Sequence, residues 1–543
     1  MESLSDSPFF WLNWAISVYA MSGGKDMDTL WNRITDFNKY ESLTEDVCVD
    51  TIVIGAGIAG LMTAYFLRDK GVQVAVLEAD RIVSGQTAGT TAKITSQHNM
   101  IYQRLIRCYG IERARMYAGW NEWAIYAYEK IIEDKKIECN FTRCSAYLYS
   151  GRKDMGLDLE VESAKKLGID AEYKTTCELP FPVRQAAEFK NQARFDPLRF
   201  LKGILEGIKI YENSRVYKVE RIREGETRLY TSGGTVTARN VVFACHFPFV
   251  NIPGYYFVRM YQSRSYVLAL KNAAQFEGYY LGVEEDGYSF RNEGEYLLFG
   301  GGKHRTGGNA QGGKYHLLQK KAKEWWPECE EIAHWSAQDC MTLDGITYIG
   351  RFEKRAEDWY VLTGFGKWGM TSALAGARII SDMITGKTVV NQEIYSPQRR
   401  ISNAMGKEFA KHSMITAGNL CRELLAVEKT VRQKTTEQEI ELSLRCPHLG
   451  CRLAWNPDEA TWECPCHGSG FDRFGNILNG PAQKELYNQR KAFLDVMLTF
   501  ISNTENGRIQ NANREYYQRE EKRKRIYTGT GSRLSWGICP CSQ

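Results

Sequence analysis

A short glycine-rich turn near the start of the sequence constrains the fold more than any other feature. A β-branched strand pattern is followed at once by Gly55, Gly57 and Gly60 in the spacing G-x-G-x-x-G, and a helical pattern comes next. A second strand-like run, VQVAVLE, ends at Glu78, eighteen residues after the last glycine of the motif. In a dinucleotide site the glycines let the backbone approach a pyrophosphate, the helix N-terminus attracts it, and the acid binds ribose hydroxyls. The sequence therefore predicts an α/β domain of the Rossmann-like kind.

This motif does not by itself choose between FAD and NAD. The segment that follows Glu78, RIVSGQTAGTTAKITSQHN, is a Gly/Thr-rich loop, suited to cradling more phosphate and flavin edge than a nicotinamide fold needs. The loop after Glu78 therefore favours FAD. A further segment lies downstream, where DGITYIG and the strand WYVLTGFG precede Lys367, which opens the helical pattern ending in SALAGARIISDMI.

Four cysteines and two histidines are concentrated near the other end of the chain. Their spacing is Cys446-x-His448, then fifteen residues, then Cys464-x-x-His467. Such a set could hold one tetrahedral zinc, but zinc sites usually pair like with like, as C-x-x-C followed by two histidines. A [2Fe–2S] cluster with two histidine ligands needs two short loops, each giving one Cys and one His. The spacing therefore favours an iron–sulfur cluster over zinc.

The two segments CPHLGC and CPCHGS resemble the ligand loops of Rieske iron–sulfur domains. This resemblance implies that Cys446 and Cys464 hold one iron, and that His448 and His467 hold the other.

Further residues resemble the cytochrome bc-type subgroup of these domains. Cys451 and Cys466 stand where that subgroup carries a disulfide between its cluster loops. Phe471 stands where the subgroup often has a tyrosine whose hydroxyl bonds a ligand sulfur. Without that hydroxyl we expect a cluster potential below the top of the Rieske range of about −150 to +300 mV.

Residues 48–390 resemble the D-amino-acid-oxidase superfamily, which includes glycine oxidase and sarcosine oxidase, through their two glycine-rich ends. In that family the last helix points its N-terminus at the flavin, where its positive end stabilises negative charge. The whole chain resembles bacterial Rieske-containing FAD-dependent oxidoreductases. The FAD contacts implied by this resemblance are Gly55, Gly57, Gly60, Glu78, Thr87, Thr91, Lys93, Val216, Gly366, Gly369, Met370 and Thr371.

The predicted fold class combines an α/β FAD-binding fold, an interleaved α+β substrate domain and a small all-β Rieske domain. The expected segments are an N-terminal extension (1–47), the oxidoreductase domain (48–390), a linker (391–420), the Rieske domain (421–486) and an atypical basic tail (487–543). Within the second segment, FAD-binding pieces are expected at 48–100, 191–254 and 336–390, and substrate-binding pieces at 101–190 and 255–335.

Composition and the two ends of the chain bear on partners and location. A net charge of +5 in 543 residues is too small to indicate a nucleic-acid partner. The apolar stretch 9–21 is too short to span a bilayer and lacks a basic n-region, so a misplaced start codon is at least as good an explanation as targeting. We expect a cytoplasmic protein with peripheral membrane contact left open. For the tail at 487–543 we expect a disordered or frame-shifted extension, and the alternative is a tail that binds a membrane surface or a partner.

The expected activity is oxidation of a small organic substrate, an amine or amino acid, with electrons leaving FAD singly through the cluster to a protein or quinone acceptor. The alternative is a non-catalytic carrier that relays electrons between proteins. Flavin enzymes mainly orient the carbon that loses hydride, so the substrate residues are chosen for position and charge. The predicted catalytic residues are Arg264, Tyr266 and Lys367, with Tyr261, Lys303 and His304 as further candidates and His98 as a flavin contact.

Overall fold

The computed structural model describes residues 28–390, 392–400, 430–434 and 439–486, together with 410–411, 413–415 and 417–418. The apolar stretch 9–21, the basic tail and most of the expected linker lie outside the described residues. Among the described residues, no helix is both long enough and apolar enough to cross a membrane. The described part divides into two compact units, and the described residues of 430–443 belong to the second.

The secondary structure alternates between strands and helices in the first part of the chain and is mostly strand later. In chain order the strands are β1 (Val47–Ile54), β2 (Val74–Leu77), β3 (Lys93–Ile94), β4 (Thr142–Ser150), β5 (Ala171–Lys174), β6 (Gln185–Arg194), β7 (Lys209–Tyr211), β8 (Lys218–Arg223), β9 (Glu226–Tyr230), β10 (Thr235–Phe243), β11 (Met260–Lys271), β12 (Tyr279–Gly282), β13 (Ser289–Glu293), β14 (Tyr296–Arg305), β15 (Glu330–Thr342), β16 (Tyr348–Glu353), β17 (Ala356–Thr363), β18 (Thr430–Lys434), β19 (Glu439–Ser443), β20 (Ala454–Asn456), β21 (Thr461–Glu463), β22 (Gly470–Asp472) and β23 (Ile477–Asn479). The helices are α1 (Leu30–Ile34), α2 (Ile58–Arg68), α3 (Tyr102–Tyr109), α4 (Ile111–Lys135), α5 (Leu157–Lys166), α6 (Pro197–Lys202), α7 (Lys314–Trp325) and α8 (Gly369–Ile384).

The first sheet has eight strands, in the order β16-β17-β10-β1-β2-β7, with β9 pairing β10 and β8 pairing β9. Its centre is parallel: β1 pairs with β10 and β2, and β10 pairs with β17. Residues 51–54 of β1 are all buried, as expected for a parallel strand covered on both faces. Helices α2 and α8 contribute to the core on one face. This is the Rossmann-like layer that the glycine motif predicts.

The second sheet has nine strands, in the order β15-β11-β14-β13-β12-β4-β6-β3, with β5 pairing β6. Side chains of a strand point alternately to opposite faces, and β11 shows this clearly. Val267 belongs to the large core around α2 and α8, whereas Tyr266 and Leu268 belong to a separate core with Leu318 of α7. We call the first side the inner face and the second side the outer face.

Segments expected to flank the oxidoreductase domain pack onto it instead. Part of the predicted N-terminal extension forms α1, where Trp31 is fully buried and donates a hydrogen bond to the Thr90 carbonyl oxygen at 2.7 Å. At the other side, Arg399 lies in the predicted linker, yet it forms a buried ion pair with Asp344 at 2.7 Å. Residues 28–47 and 392–400, the described parts of these two segments that flank the domain, therefore belong to the folded oxidoreductase.

The C-terminal part of the first unit is a small antiparallel sheet of four strands, in the order β20-β21-β22-β23. In the second unit, β18 and β19 form a hairpin in which Thr430 pairs with Ser443. The expected fold class, an α/β FAD-binding fold with a small all-β domain, is confirmed.

Candidate functional site

The glycine turn between β1 and α2 forms a tight cradle. Gly55 has a φ of +105°, and a Cβ on it would lie 2.6 Å from the Ala244 carbonyl oxygen. A Cβ on Gly60 would overlap the Gly55 carbonyl oxygen. No side chain caps α2, which begins after Gly57, so the positive end of the helix faces the turn. Only glycine fits these positions, and the turn suits a pyrophosphate.

Glu78 and the loop after it form the rim of this cradle. The Glu78 carboxylate accepts a hydrogen bond from the Ala56 backbone N–H at 2.7 Å, and burial raises its pKa. The Thr87 hydroxyl accepts from the Ile58 N–H at 3.0 Å, while Thr91 is partly buried in the same loop. Val216 is buried in the core on the far side of the first sheet. These positions fit the adenosine and phosphate part of FAD.

The N-terminus of α8 is held in place by a buried histidine. The His98 Nε2–H donates to the Thr95 carbonyl oxygen at 2.9 Å, Nδ1 pairs with the Tyr117 hydroxyl, and the ring stacks on Trp368 at 4.9 Å. Burial lowers the pKa of His98 to about 3, so the ring is neutral. Thr371 also donates to the Thr95 carbonyl oxygen, at 2.9 Å. His98 therefore fixes the helix, and both of its nitrogens are already hydrogen-bonded.

The loop before α8 presents Lys367 to the inner face of the second sheet. Gly366 and Lys367 have φ angles of +57° and +79°, and the Gly366 N–H donates to the Cys340 carbonyl oxygen at 2.9 Å. The Lys367 ammonium donates to the Ser265 hydroxyl and lies 3.3 Å from Asp339. The helix beyond it, with Gly369 and Met370 in its first turn, carries no side-chain cap at its N-terminus.

A second ammonium group lies on the same inner face. Lys93 donates to the Ser289 hydroxyl, and no ion pair involves it among the described residues. Burial, followed by the positive charges of Arg291 and Lys367, lowers its pKa to about 7. The two lysines make this face suitable for an anionic group.

The structure corrects the predicted substrate role of Arg264 and Tyr266. Arg264 lies on the outer face, where its guanidinium is 2.9 Å from Glu463 and donates to Gln338 at 2.7 Å. The Tyr266 hydroxyl accepts from Asn456 at 3.2 Å. Both side chains therefore join the second sheet to the C-terminal domain and are not free to meet a substrate.

The other candidates from the sequence are also engaged. His304 contacts the Tyr266 hydroxyl at 3.1 Å on the same outer side. Lys303 donates to the Glu284 carbonyl oxygen at 2.9 Å, and Tyr261 lies beneath the Arg305 guanidinium, 5.0 Å from ring centre to carbon. Lys367 is the predicted catalytic residue that the structure leaves on the inner face.

Two tight loops bring the predicted iron ligands together. Each loop closes on its cysteine: the Gly450 N–H donates to the Cys446 carbonyl oxygen, and the Gly468 N–H to the Cys464 carbonyl oxygen, both at 2.9 Å. The rings of His448 and His467 stand 4.9 Å apart. Both cysteines and His467 are buried.

The unused atoms of this site match a cluster with two histidine ligands. The Nδ1 atoms of His448 and His467 are buried, and neither has a hydrogen-bond partner among the described residues. Burial lowers the pKa of His448 to about 4 and that of His467 to about 3, so both rings are in the neutral, ligating form. The Nε2–H of His448 donates to Asn251 at 2.8 Å, which leaves Nδ1 for the metal.

A disulfide separates the ligand cysteines from the other two. The sulfurs of Cys451, Cys464 and Cys466 lie within 4.8 Å of one another, but Cys451 and Cys466 are joined in a disulfide. A disulfide sulfur is not a thiolate, so Cys464 is the cysteine of this group that could serve as a ligand. Phe471 is fully buried in β22 and brings no hydroxyl to the site.

Several polar residues at the contact between the two domains were missed by sequence reasoning. Gln262 and Gln338 are buried glutamines of β11 and β15 that donate to carbonyl oxygens of the second cluster loop. Asn251 comes from the loop after β10. Only the alternation along β11 could have signalled an outer-face role, and it does not reveal which domain covers that face.

Comparisons with known proteins agree with this architecture. Residues 50–383 match the FAD dependent oxidoreductase (DAO) family, and residues 415–494 match the Rieske [2Fe-2S] domain. A Bacillus subtilis (strain 168) protein that carries the name Rieske 2Fe-2S iron-sulfur protein YhfW is 33% identical over 493 residues, which cover 84% of this chain and 97% of that protein. The chain belongs to the FAD-dependent oxidoreductase family. This oxidoreductase binds FAD and, through its Rieske domain, a [2Fe–2S] cluster.

Other relatives match one of the two domains of the oxidoreductase. The cytochrome b6-f complex iron-sulfur subunit 2 of Trichormus variabilis is 42% identical over 57 residues, which are 10% of this chain and 32% of that protein. Glycine oxidase from Geobacillus kaustophilus superposes with a TM-score of 0.56 at 17% identity, over 66% of this chain and 100% of that one. L-amino acid deaminase from Proteus vulgaris gives 0.55 at 15% identity, over 67% and 100%. At these identities the two structures show a shared fold.

Proposed function

We propose that this oxidoreductase oxidises an amine or amino acid at FAD and passes the electrons, one at a time, through the Rieske cluster to an external one-electron acceptor. The observation that carries the proposal is the position of the two sites on opposite faces of one sheet. Lys367 approaches the inner face at Ser265, and Glu463, the residue before a cluster cysteine, approaches the outer face at the adjacent Arg264. A single layer of strands therefore separates the flavin side from the cluster side.

Residue assignments for the cofactors follow from the fit of the two sites. FAD supplies a two-electron acceptor and the cluster a one-electron acceptor. The ligands proposed for the cluster are Cys446, His448, Cys464 and His467. The contacts proposed for FAD are Gly55, Gly57, Gly60, Glu78, Thr87, Thr91, Lys93, Val216, Gly366, Gly369, Met370 and Thr371.

The substrate class is argued from the charge of the inner face and from the fold. Lys93 has no carboxylate partner among the described residues, and a substrate carboxylate would supply one. Lys367, which is already paired with Asp339, would help to orient the substrate. Glycine oxidase and L-amino acid deaminase share the fold, which supports an amino acid.

The electrons and protons of the proposed reaction balance without O2 as the electron acceptor. An amine group and its carbon lose two electrons and two protons to give an imine, and water converts the imine to a carbonyl compound and ammonia. The two electrons then leave singly to two equivalents of a one-electron acceptor, and the protons pass to solvent.

The test is anaerobic titration of the purified protein with single amino acids and simple amines while the flavin absorption is recorded. A substrate bleaches the flavin and then produces the electron paramagnetic resonance (EPR) signal of a reduced Rieske cluster. In Cys464→Ser, bleaching should remain and the EPR signal should be absent. Flavin that no amine or amino acid bleaches, but that a reduced protein donor does, would identify an electron carrier and refute the proposal.

A further inference from the structure

Two buried glutamines connect the second sheet to the second cluster loop. Gln262 on β11 donates from Nε2 to the His467 carbonyl oxygen at 2.7 Å, and Gln338 on β15 donates to the Gly468 carbonyl oxygen at 2.7 Å. The two amides also bond to each other, with the Gln338 Nε2–H donating to Gln262 Oε1. They are 1% and 0% exposed. The loop is thus held by a closed, water-excluded pair of amides.

Strands β11 and β15, which carry these two glutamines, also contact the flavin side. The backbone N–H of Gln338 donates to the Gln86 side chain at 2.6 Å, and Gln86 precedes Thr87 in the loop beside the glycine turn. Gln262 Oε1 lies 3.3 Å from His246 Nε2. His246 closely follows Ala244, whose carbonyl oxygen lies against Gly55. Polar contacts and short stretches of backbone therefore connect the cluster loop with segments that contact the dinucleotide turn.

The fit at this contact is close. Gly468 has a φ of +79°, and a Cβ on it would lie 2.6 Å from the side chain of Gln262. The backbone of the loop therefore packs directly against the Gln262 side chain, with no room for a Cβ at position 468. Removal of either amide leaves a buried carbonyl oxygen of the loop without its donor, which costs free energy of folding, so both amides stabilise the loop in this position.

We propose that Gln262 and Gln338 are positioning residues that fix the His467 loop at one separation from the flavin side, so that electrons cross the sheet at this point to a permanently docked Rieske domain. This inference rests on the proposed function, since it requires electrons to pass from the flavin to the cluster. Two electrons leave the reduced flavin in two steps, each reduces the cluster once, and an external one-electron acceptor reoxidises it. Neutral amides suit this role because they hold the loop without adding charge beside the cluster.

The experiment is flash photoreduction of the full-length holoprotein with 5-deazariboflavin and EDTA, which donates electrons without any substrate. Electron equilibration between flavin and cluster is followed by absorption, and the cluster is examined by EPR. The variants are Gln338→Leu, Gln262→Leu and Gln338→Glu. Gln338→Glu keeps the volume and the acceptor for Arg264 but removes the donor to Gly468, so it provides the readout if the leucine variants do not fold. The matched control is Gln185→Leu, which removes a buried amide from β6 of the same sheet.

We expect equilibration to slow roughly 10- to 100-fold in the Gln338 and Gln262 variants, because small displacements of a reacting group have effects of that size. The EPR g-values should shift in Gln338→Glu at unchanged iron content, and Gln185→Leu should match the wild type. If the rates and g-values of Gln338→Leu, Gln262→Leu and Gln338→Glu equal those of the wild type and of Gln185→Leu, the positioning role of the two glutamines is refuted. The proposed function would remain intact. Absence of any flavin-to-cluster equilibration in the wild type would refute both.

Discussion

At the scale of single residues, Lys93 is the ionisable group that most affects the flavin side. Its pKa falls from an ordinary 10.5 to about 7, first because it is buried and then because Arg291 and Lys367 are positively charged. Below pH 7 the ammonium is charged in the folded and the unfolded chain, and burial of that charge destabilises the fold. Between pH 7 and 10.5 the unfolded chain binds the additional proton, so stability rises with pH.

The replacement Lys93→Met removes this dependence. We expect the variant to melt at a higher temperature than the wild type at pH 6, and the difference should shrink above pH 7 and disappear above pH 10.5. Thermal unfolding across that range measures it, with Lys320→Met, a change at an exposed lysine of α7, as the control. A difference that stays constant with pH would show that the charge of Lys93 is not the cause.

On the cluster side, Phe471 is the residue that we expect to affect the redox potential. It is fully buried in β22 and pairs with Ile477 of β23, close to the second cluster loop. In Phe471→Tyr a hydroxyl could bond a ligand sulfur, which favours the reduced cluster. A hydrogen bond of about 1.4 kcal/mol would raise the one-electron midpoint potential by roughly 60 mV. Redox titration monitored by EPR tests this, and a lowered potential would show that the hydroxyl points elsewhere.

At the scale of elements, β11 is the strand that serves both sides of the protein. Ser265 on its inner face contacts Lys367, and Arg264 on its outer face contacts Glu463. Arg264→Met leaves Glu463 buried without its cation, which typically costs about 3–5 kcal/mol. We expect that variant to loosen the Rieske domain and alter the EPR signal while the flavin absorption is unchanged.

For Ser265, the next residue of β11, we expect a change in the flavin absorption and no change in the EPR signal. Ser265→Ala should shift the flavin absorption and leave the EPR signal as in the wild type, because its hydroxyl contacts only the inner face. The double variant Arg264→Met with Glu463→Gln removes the unpaired charge and should recover most of the lost stability. If both single variants alter both signals, the two faces of β11 are not independent.

The strand β11 also shows which features of the structure can be predicted from the sequence and which cannot. The glycine turn and the two cluster loops were predictable because close spacing along the chain determines each of them. Arg264 was assigned to a substrate because its charge suits a carboxylate, and alternation along β11 cannot say which face meets the flavin. That choice depends on Glu463, about 200 residues away, and no local pattern connects the two.

At the scale of the whole molecule, the Rieske domain also completes the oxidoreductase. Helix α7 begins after Gly313 and has no cap of its own. Asp458 fills that role from the Rieske domain, accepting from the backbone N–H groups of Gly313 and Lys314 at 2.9 Å each. Tyr315, in the first turn, donates to Glu459 at 2.7 Å. Residues 444–486 therefore belong to the same compact unit as the oxidoreductase core.

This arrangement predicts that flavin and cluster are lost together on heating. Release of flavin fluorescence and bleaching of the cluster absorption should share one midpoint, because unfolding of either domain exposes buried partners on the other. Asp458→Ala removes the cap of α7, and a lost cap typically costs about 0.5–2 kcal/mol, so we expect both midpoints to fall by the same amount. The exposed change Lys484→Ala, in the same domain, is the control. Two separate transitions in the wild type would mean that the domains unfold independently, and the contacts of Asp458 and Glu459 would then be too weak to couple them.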